Sequence, residues 1–376
     1  MRIMHMTSGG ATMNGALQYA VQLAVRQSQA GHQVWMLTPA GSYVAQSVAD
    51  TGVQHVPSAL QRWPLDELRR IRDFINEQQI ELVHGHTSRG FNFGVSLRRL
   101  FGVPCISTAH SNKIQVHWCL ADHVIAVSKV NEAFHRRWNL VRRSRISMIH
   151  NPIDVQRFHP LVETQRQQVR EEIGIASEAL MLLLAGHIVR RKGQLTAVHA
   201  LPKVLDRFPT ARLVFVGTES HEYGQQLRQE IDRMQLSDAI HILDTRMDIE
   251  RIFGAADVCL CPSLDEPFGL TACEALASEV PVVASRLGGF LETVQDGGTG
   301  LLVPRKSPVA LADAILKLLE DPQRRAAYGR AGRVWVQQNL AVDVHDAAVE
   351  QVYRSVCVGR TMAAPAVSTS IDNDAP

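Results

Sequence analysis

Short apolar runs recur along the chain, and most are followed by longer stretches with apolar positions at helical spacing. The first run is Ile3 to Thr7. Leu17, Val21, Ala24 and Ser28 then repeat at helix period, and Gly31 is a good helix stop. Val34–Thr38, Leu82–His84, Pro104–Ser107, His123–Val127 and Ser147–Ile149 read as further strands. Asn151-Pro152-Ile153-Asp154 is turn-like, and Leu161 to Glu172 is charged and poor in core residues. A second series follows, with strands at Met181–Ala185, Arg212–Val216, Ile240–Leu243, Val258–Cys261, Val282–Ala284 and Leu301–Val303. Helices are expected at Gly193–Arg207, Glu222–Met234, Leu270–Ala277 and Val309–Leu319, with another from Pro322 through Trp335. This alternation predicts an α/β chain with two mostly parallel sheets, one in each of two Rossmann-like domains at 1–160 and 161–340. A last helix, Val342–Val356, makes a separate segment at 341–358, and 361–376 is a Ser/Thr/Ala/Pro-rich tail expected to be disordered.

At 376 residues the chain exceeds the usual size of a single core, in keeping with two domains. A net charge of only +2 argues against a dedicated nucleic-acid binder. Six scattered cysteines do not form a disulfide scaffold and fit a reducing compartment. Cys259-x-Cys261 lies in an apolar run without further Cys or His ligands nearby, so it reads as structural. The start, Met-Arg-Ile-Met-His-Met, lacks a signal-peptide apolar region, and no run approaches a membrane span, so a cytoplasmic location is expected.

Ligands of open α/β sheets sit at the C-terminal ends of strands, where helix-start amides are free. Three segments fall there. Ser8 to Gly15 carries Gly10, Asn14 and Gly15 between the first strand and first helix; it is open to an anion or is simply a turn. Gly186-His187-Ile188-Val189-Arg190-Arg191-Lys192-Gly193 is a basic cluster before a helix, suited to a diphosphate or to solvent, and is no Walker A loop. Pro262 to Glu274 puts Glu266 just past a strand, Phe268, Gly269 and Leu270 at a helix start, and Glu274 one turn in. Carboxylates so placed accept bonds from sugar hydroxyls, unless they simply face water. His110 closes a strand-like run at the corresponding edge of the first domain, and His84 and His86 are weaker candidates of the same kind. Neither a Ser/His/Asp triad nor HExxH is evident.

Together these segments resemble glycosyltransferase family 4, the retaining GT-B enzymes, over about residues 1 to 357. The most specific part is Pro-Ser-x-x-Glu-Pro-Phe-Gly-Leu-Thr-x-x-Glu-Ala, containing Glu266 and Glu274; Pro281–Ser285, Gly288-Gly289, Glu292 and Gly300–Val303 follow. The resemblance implies a GT-B fold, two Rossmann-like domains facing each other across a cleft, with the first on the acceptor side and the second holding the nucleotide sugar. The last helix would cross back onto the first domain. Glu274 would bind ribose hydroxyls, Glu266 and the amides after it the transferred sugar, and Lys192 the diphosphate. Gly10–Gly15 would meet donor phosphate, and His110 would lie near the donor sugar. His110, Glu266 and Lys192 are thus the implied catalytic set, with Gly10, Asn14, Gly15, His187, Arg191, Lys192, Phe268, Gly269, Leu270 and Glu274 as donor contacts. The implied donor is a UDP- or GDP-sugar, with no cofactor and no metal. Where the family has an arginine this chain has His187, so Arg190 or Arg191 substitutes in space, diphosphate binding is weaker, or His187 is protonated. Glu279 and Asp244 stand where glycines are common.

Two basic segments bear on the acceptor. Arg62 to Arg72 and His135 to Arg143 both mix Trp and Leu with arginine, and no acidic residue lies between Glu132 and Asp154. Such segments suit peripheral binding to an anionic membrane surface, here the cytoplasmic face of the inner membrane, unless Leu65, Leu68 and Ile71 face the core. A lipid-linked or other carbohydrate acceptor in lipopolysaccharide, polysaccharide or glycolipid synthesis would fit. The alternatives are a small soluble acceptor, or a nucleotide-sugar-binding protein with impaired catalysis.

Overall fold

The central strands are buried: β2, β5, β8 and β12 below are covered from end to end apart from one residue at the start of β2. Burial of this kind belongs to a parallel sheet with helices on both faces. The computed structural model describes residues 1–9, 15–60 and 65–361. Gly10, Asn14, the Arg62–Pro64 part of the first basic segment and the expected tail from 362 onward lie outside them.

The first half runs β1 (Arg2–Met6), α1 (Gly15–Gln29), β2 (Gln33–Thr38), α2 (Tyr43–Ser47), β3 (Gln54–Pro57), α3 (Leu65–Glu77), β4 (Leu82–Gly85), α4 (Ser88–Phe101), β5 (Cys105–Ala109), β6 (His123–Ala126), α5 (Lys129–Trp138) and β7 (Ile146–Met148). The second runs α6 (Glu163–Glu172), β8 (Met181–Ala185), α7 (Gln194–Leu205), β9 (Arg212–Val216), α8 (His221–Arg233), β10 (Ile240–Leu243), α9 (Ile249–Ala255) and β11 (Val258–Cys261). It continues with α10 (Leu270–Ala277), β12 (Val282–Ser285), α11 (Phe290–Thr293), β13 (Gly300–Val303), α12 (Pro308–Leu319), α13 (Pro322–Asn339) and α14 (Val342–Thr361).

Both sheets are parallel. Their orders are β3-β2-β1-β4-β5-β6-β7 and β10-β9-β8-β11-β12-β13. In each, the order reverses at the strand that comes first in sequence, so β1 and β4 flank one crevice and β8 and β11 the other. The reversal explains why residues distant in sequence converge at one place.

The sequence pattern does not predict the short helices α9 and α11, and two further elements depart from it in an instructive way. β3 is a four-residue edge strand with one buried residue, Val56, and no apolar run to signal it. The charged stretch from Leu161 to Glu172 contains α6, which buries Val169 and, unusually, Arg170. Arg170 donates to the Ala255, Ser177 and Ala179 carbonyls and, at 2.7 Å, to Asp257. Asp257 also accepts from the Met181 amide and from Arg166. This network ties α6 to the start of β8 and β11, and it replaces the apolar contacts that the helix lacks.

The chain crosses between the halves twice, near 150–153 and near 340–342, and the Ile153 amide donates to the Leu340 carbonyl at 2.9 Å. After the second crossing α14 returns to the first sheet. Its Val349, Val352 and Tyr353 pack with Ile3, Leu23, Leu82, Ile106 and Ile125. Among the described residues no helix is long and apolar enough to cross a membrane.

Candidate active site

The second sheet builds its site from two loops that leave adjacent strands. After β8 the chain turns through Gly193, whose φ is +76°. A side chain there would put Cβ 2.1 Å from the Pro262 carbonyl oxygen, so only glycine lets the β8 and β11 loops touch. The Leu264 amide donates to the Arg191 carbonyl at 2.7 Å across the same contact. As a result Lys192 Nζ lies 2.8 Å from Glu266 Oε2, although 74 residues separate them. Arg191 donates to the Asp265 carbonyl and lies 3.7 Å from the same Glu266 oxygen. The Glu266 and Lys192 side chains are mostly buried, so this pairing is poorly screened by solvent.

These residues line a cleft of about 660 Å³ whose walls come from both sheets. The second-domain wall also carries His187, Phe268, Gly269, Leu270 and Glu274; the first-domain wall carries Gly15 and His110. Gly269 caps α10, and Phe268 is buried beneath the loop with its ring 5.4 Å from His150. Of the two arginines considered as stand-ins at His187, Arg191 lines the cleft.

Glu274 has an unusual titration. Burial raises its carboxyl from 4.5 to about 7, against the pull of Arg157 and Lys192. A hydrogen-bonding site for a vicinal diol needs the ionised form, which accepts at both oxygens. A ligand diol bonded to both oxygens would be held more weakly as the group protonates. A nucleotide sugar bound through Glu274, whose diphosphate has no proton to gain near neutrality, would bind about tenfold more weakly at pH 6 than at pH 8. Titration calorimetry at both pH values checks this, and Glu274→Gln is expected to flatten the difference.

His110 sits differently. Burial, with His345 a smaller cause, lowers its pKa to about 3, so the ring is neutral. It packs edge-on to Tyr19 with ring centroids 4.8 Å apart. Behind it lie His5, His84 and His86, buried and with ring nitrogens within 4.8 Å of one another. His5 bonds His86 and Gln27, while His84 bonds Thr108 and the Tyr353 hydroxyl. Tyr19 bonds His345, and Arg26 clamps Asp346 through two bonds. His84, bonded to Tyr353 of α14, and His86, bonded to His5, are both buried, and neither lines the cleft.

Several cleft residues carry no sequence signal. Thr218 and Thr245 follow β9 and β10 and bond each other at 2.8 Å. Gln18, Asn112, Lys113 and Asn151 belong to the first-domain wall. Their position after strand ends, or for Gln18 in the first turn of α1, is the only clue that could have found them.

The basic segments also separate. In α3, Leu68, Ile71 and Ile75 are buried, and Arg69, Arg70 and Arg72 pair with Asp66, Glu67 and Asp73. That helix spends its apolar face on the core, so of this segment's apolar anchors within the described residues only Leu65 is exposed. The second segment keeps Trp138 and Leu140 exposed, at 50% and 62%.

The family model for Glycosyltransferase Family 4 matches residues 13–157, and that for Glycosyl transferases group 1 matches residues 165–335. Alpha-maltose-1-phosphate synthase of Mycolicibacterium smegmatis is 31% identical over 295 residues, 69% of this chain and 74% of that protein. D-inositol 3-phosphate glycosyltransferase of Corynebacterium urealyticum is 33% identical over 192 residues, 49% of this chain. That match spans about half of the relative's length, 45%. Among solved structures, Anabaena Alr3699/HepE in complex with UDP and glucose has a similar fold, with a TM-score of 0.86 at 20% identity over 94% of this chain and 100% of that one. Two open parallel sheets sharing one cleft are the GT-B architecture, and with these matches the chain belongs to glycosyltransferase family 4, the retaining GT-B glycosyltransferases.

Proposed function

We propose that this chain transfers a hexose, with retention, from a UDP- or GDP-sugar to an acceptor hydroxyl. The observation that carries the reading is the Lys192–Glu266 contact at the strand-order reversal of the second sheet, with Glu274 on the same wall of the cleft. In this reading Glu274 accepts bonds from the ribose diol, and Lys192 with Arg191 meets the diphosphate charge. The amides around Phe268–Leu270 supply further donors. Glu266 orients hydroxyls of the sugar being transferred; it is a positioning group rather than a covalent nucleophile. Its pairing with Lys192 supports this, because a bound diphosphate would compete for the ammonium and release the carboxylate toward the sugar. Neutral His110 on the opposite wall offers a hydrogen bond without adding charge near the anomeric carbon. The acceptor hydroxyl attacks from the face the phosphate leaves, and the departing phosphate oxygen takes its proton.

Incubation with UDP-, GDP- and ADP-sugars and candidate acceptors, read by mass spectrometry for nucleotide and glycosylated product, tests the proposal. UDP-glucose heads the panel because UDP and glucose are ligands of the Anabaena protein. Donor binding with no turnover on any acceptor would point instead to a nucleotide-sugar-binding protein.

For the acceptor, the exposed Trp138 and Leu140 favour an anionic membrane surface over free solution. Leu140 adopts φ +54°, where glycine or asparagine is usual after a helix, yet an apolar side chain is held outward there. Ile114, 63% exposed, belongs to the same patch, because Asn139 bonds both the Gln115 amide and the Lys113 carbonyl. Exposed Lys113, Arg136, Arg137, Arg142 and Arg143 surround it. A lipid-linked acceptor of envelope lipopolysaccharide, polysaccharide or glycolipid synthesis would then be presented at the cleft mouth, since Lys113 also lines the cleft. Wild type is expected to sediment with phosphatidylglycerol vesicles and not with phosphatidylcholine alone. Trp138→Ala combined with Arg142→Glu is expected to stay in the supernatant, and equal sedimentation of the two proteins would remove this reading.

A further inference from the structure

The cleft residues belong to two bodies, so transfer depends on the register between them. One direct junction is built on α5, whose first turn faces the second domain. Ser128 caps this helix by accepting from the Asn131 amide, and its hydroxyl also donates to the Pro267 carbonyl at 2.7 Å. Pro267 follows Glu266 directly. Beside it, the Glu292 carboxylate accepts from the Lys129 amide at 3.0 Å and the Val130 amide at 3.3 Å. A carboxylate from one domain therefore satisfies the free amides at the start of a helix in the other. His150, at the first crossing between domains, lies 3.4 Å from the same carboxylate. Burial opposes the charge on Glu292, but His150 and the two amides hold its pKa below the ordinary glutamate value.

The other end of α11 is fixed to the sugar-positioning loop. The Gly289 amide donates to the Glu266 carbonyl at 2.8 Å. The backbones touch so closely that a Cβ on Gly289 would lie 2.3 Å from Phe268. One helical turn thus links Glu266 at one end to α5 at the other.

We infer that Glu292 is a positioning residue for transfer: by capping α5 across the domain boundary it sets the Glu266 loop in register with the first-domain wall. This rests on the transfer reaction proposed above, and it assigns Glu292 no contact with donor or acceptor. Its loss leaves the donor site in the second domain intact while the acceptor wall shifts relative to it. The expected signature is a lowered kcat with donor affinity preserved.

The test uses the full chain and Glu292→Ala, with Glu292→Gln as a variant that keeps one acceptor oxygen. Hydrogen exchange should lose protection at Lys129 and Val130 in Glu292→Ala. UDP-glucose affinity by calorimetry should stay within about twofold, while kcat with the acceptor found in the panel falls about tenfold or more, and Glu292→Gln should lie between. Unchanged protection at Lys129 and Val130 overturns the proposal. So does lost protection with unchanged kcat, or donor affinity falling as far as kcat. Should the panel yield no transfer, the reaction assignment fails separately, and small-angle scattering decides the register: a broadened profile for folded Glu292→Ala supports it, and an identical profile overturns it.

Discussion

Glu266→Ala is expected to lower kcat by about 100-fold or more while donor affinity changes little, since a misplaced reacting group costs that much without weakening remote contacts. The substitution is clean because the loop is held by its backbone. The Glu266 carbonyl keeps its bond from the Gly289 amide whatever the side chain, and the Leu264 amide still meets Arg191. What disappears is the carboxylate beside Lys192. In the proposed site Lys192 would then face the diphosphate without a competing carboxylate, so nucleotide binding should hold or tighten. Glu266→Gln should fall between the two, keeping an acceptor but losing the attraction to the ammonium. Glu274→Ala should do the reverse, raising the donor Kd more than it lowers turnover. Steady-state kinetics paired with calorimetry separates the two glutamates, and silence of both variants would place the site elsewhere.

The second large effect is on stability. Asp257→Ala is expected to destabilise the chain by about 3–5 kcal/mol, because it strands the Arg170 charge in a buried position. The Arg170 and Asp257 side chains are 6% and 8% exposed, so little water can replace the lost partner. Arg170→Met should cost a comparable amount, since the Ala255, Ser177 and Ala179 carbonyls lose their donor. The double variant should be less damaged than the sum of the two, by about 0.5–3 kcal/mol of coupling. Urea unfolding followed by circular dichroism measures all three, and strict additivity would show that the pair is not a unit.

Much of the fold was legible because a parallel sheet demands apolar runs. Met181–Ala185, Arg212–Val216, Ile240–Leu243 and Val258–Cys261 begin and end as the pattern suggests. β3 was not legible, since an edge strand needs little burial and Gln54-His55-Val56-Pro57 provides little. α6 was hidden for another reason: its anchor is an arginine, which hydropathy counts as surface. The last helix extends to Thr361, beyond the expected Val356, so that the first residue of the expected tail is helical. Within the cleft, residues grouped along one segment were readable, as from Pro262 to Glu274. Lys113, Asn151 and Thr245 were not, because only the arrangement of strand ends brings them to one cavity. The partnership of Glu292 with α5 spans more than 160 residues and leaves no mark in either segment alone.

The return of α14 has a consequence for synthesis. Its Val349, Val352 and Tyr353 complete a core begun by Ile3, Leu82, Ile106 and Ile125. His84 and Tyr19 likewise take hydrogen-bond partners, Tyr353 and His345, from that helix. The first domain emerges from the ribosome first, yet its packing closes only when these last segments arrive. The second domain holds its whole sheet and one complete core within 161–340, and its other core takes only Val127, Ile153 and Phe158 as buried residues made earlier, so it can settle earlier. The domain made first is therefore the one finished last, and a chain cut short before residue 342 would leave its apolar face open to other chains.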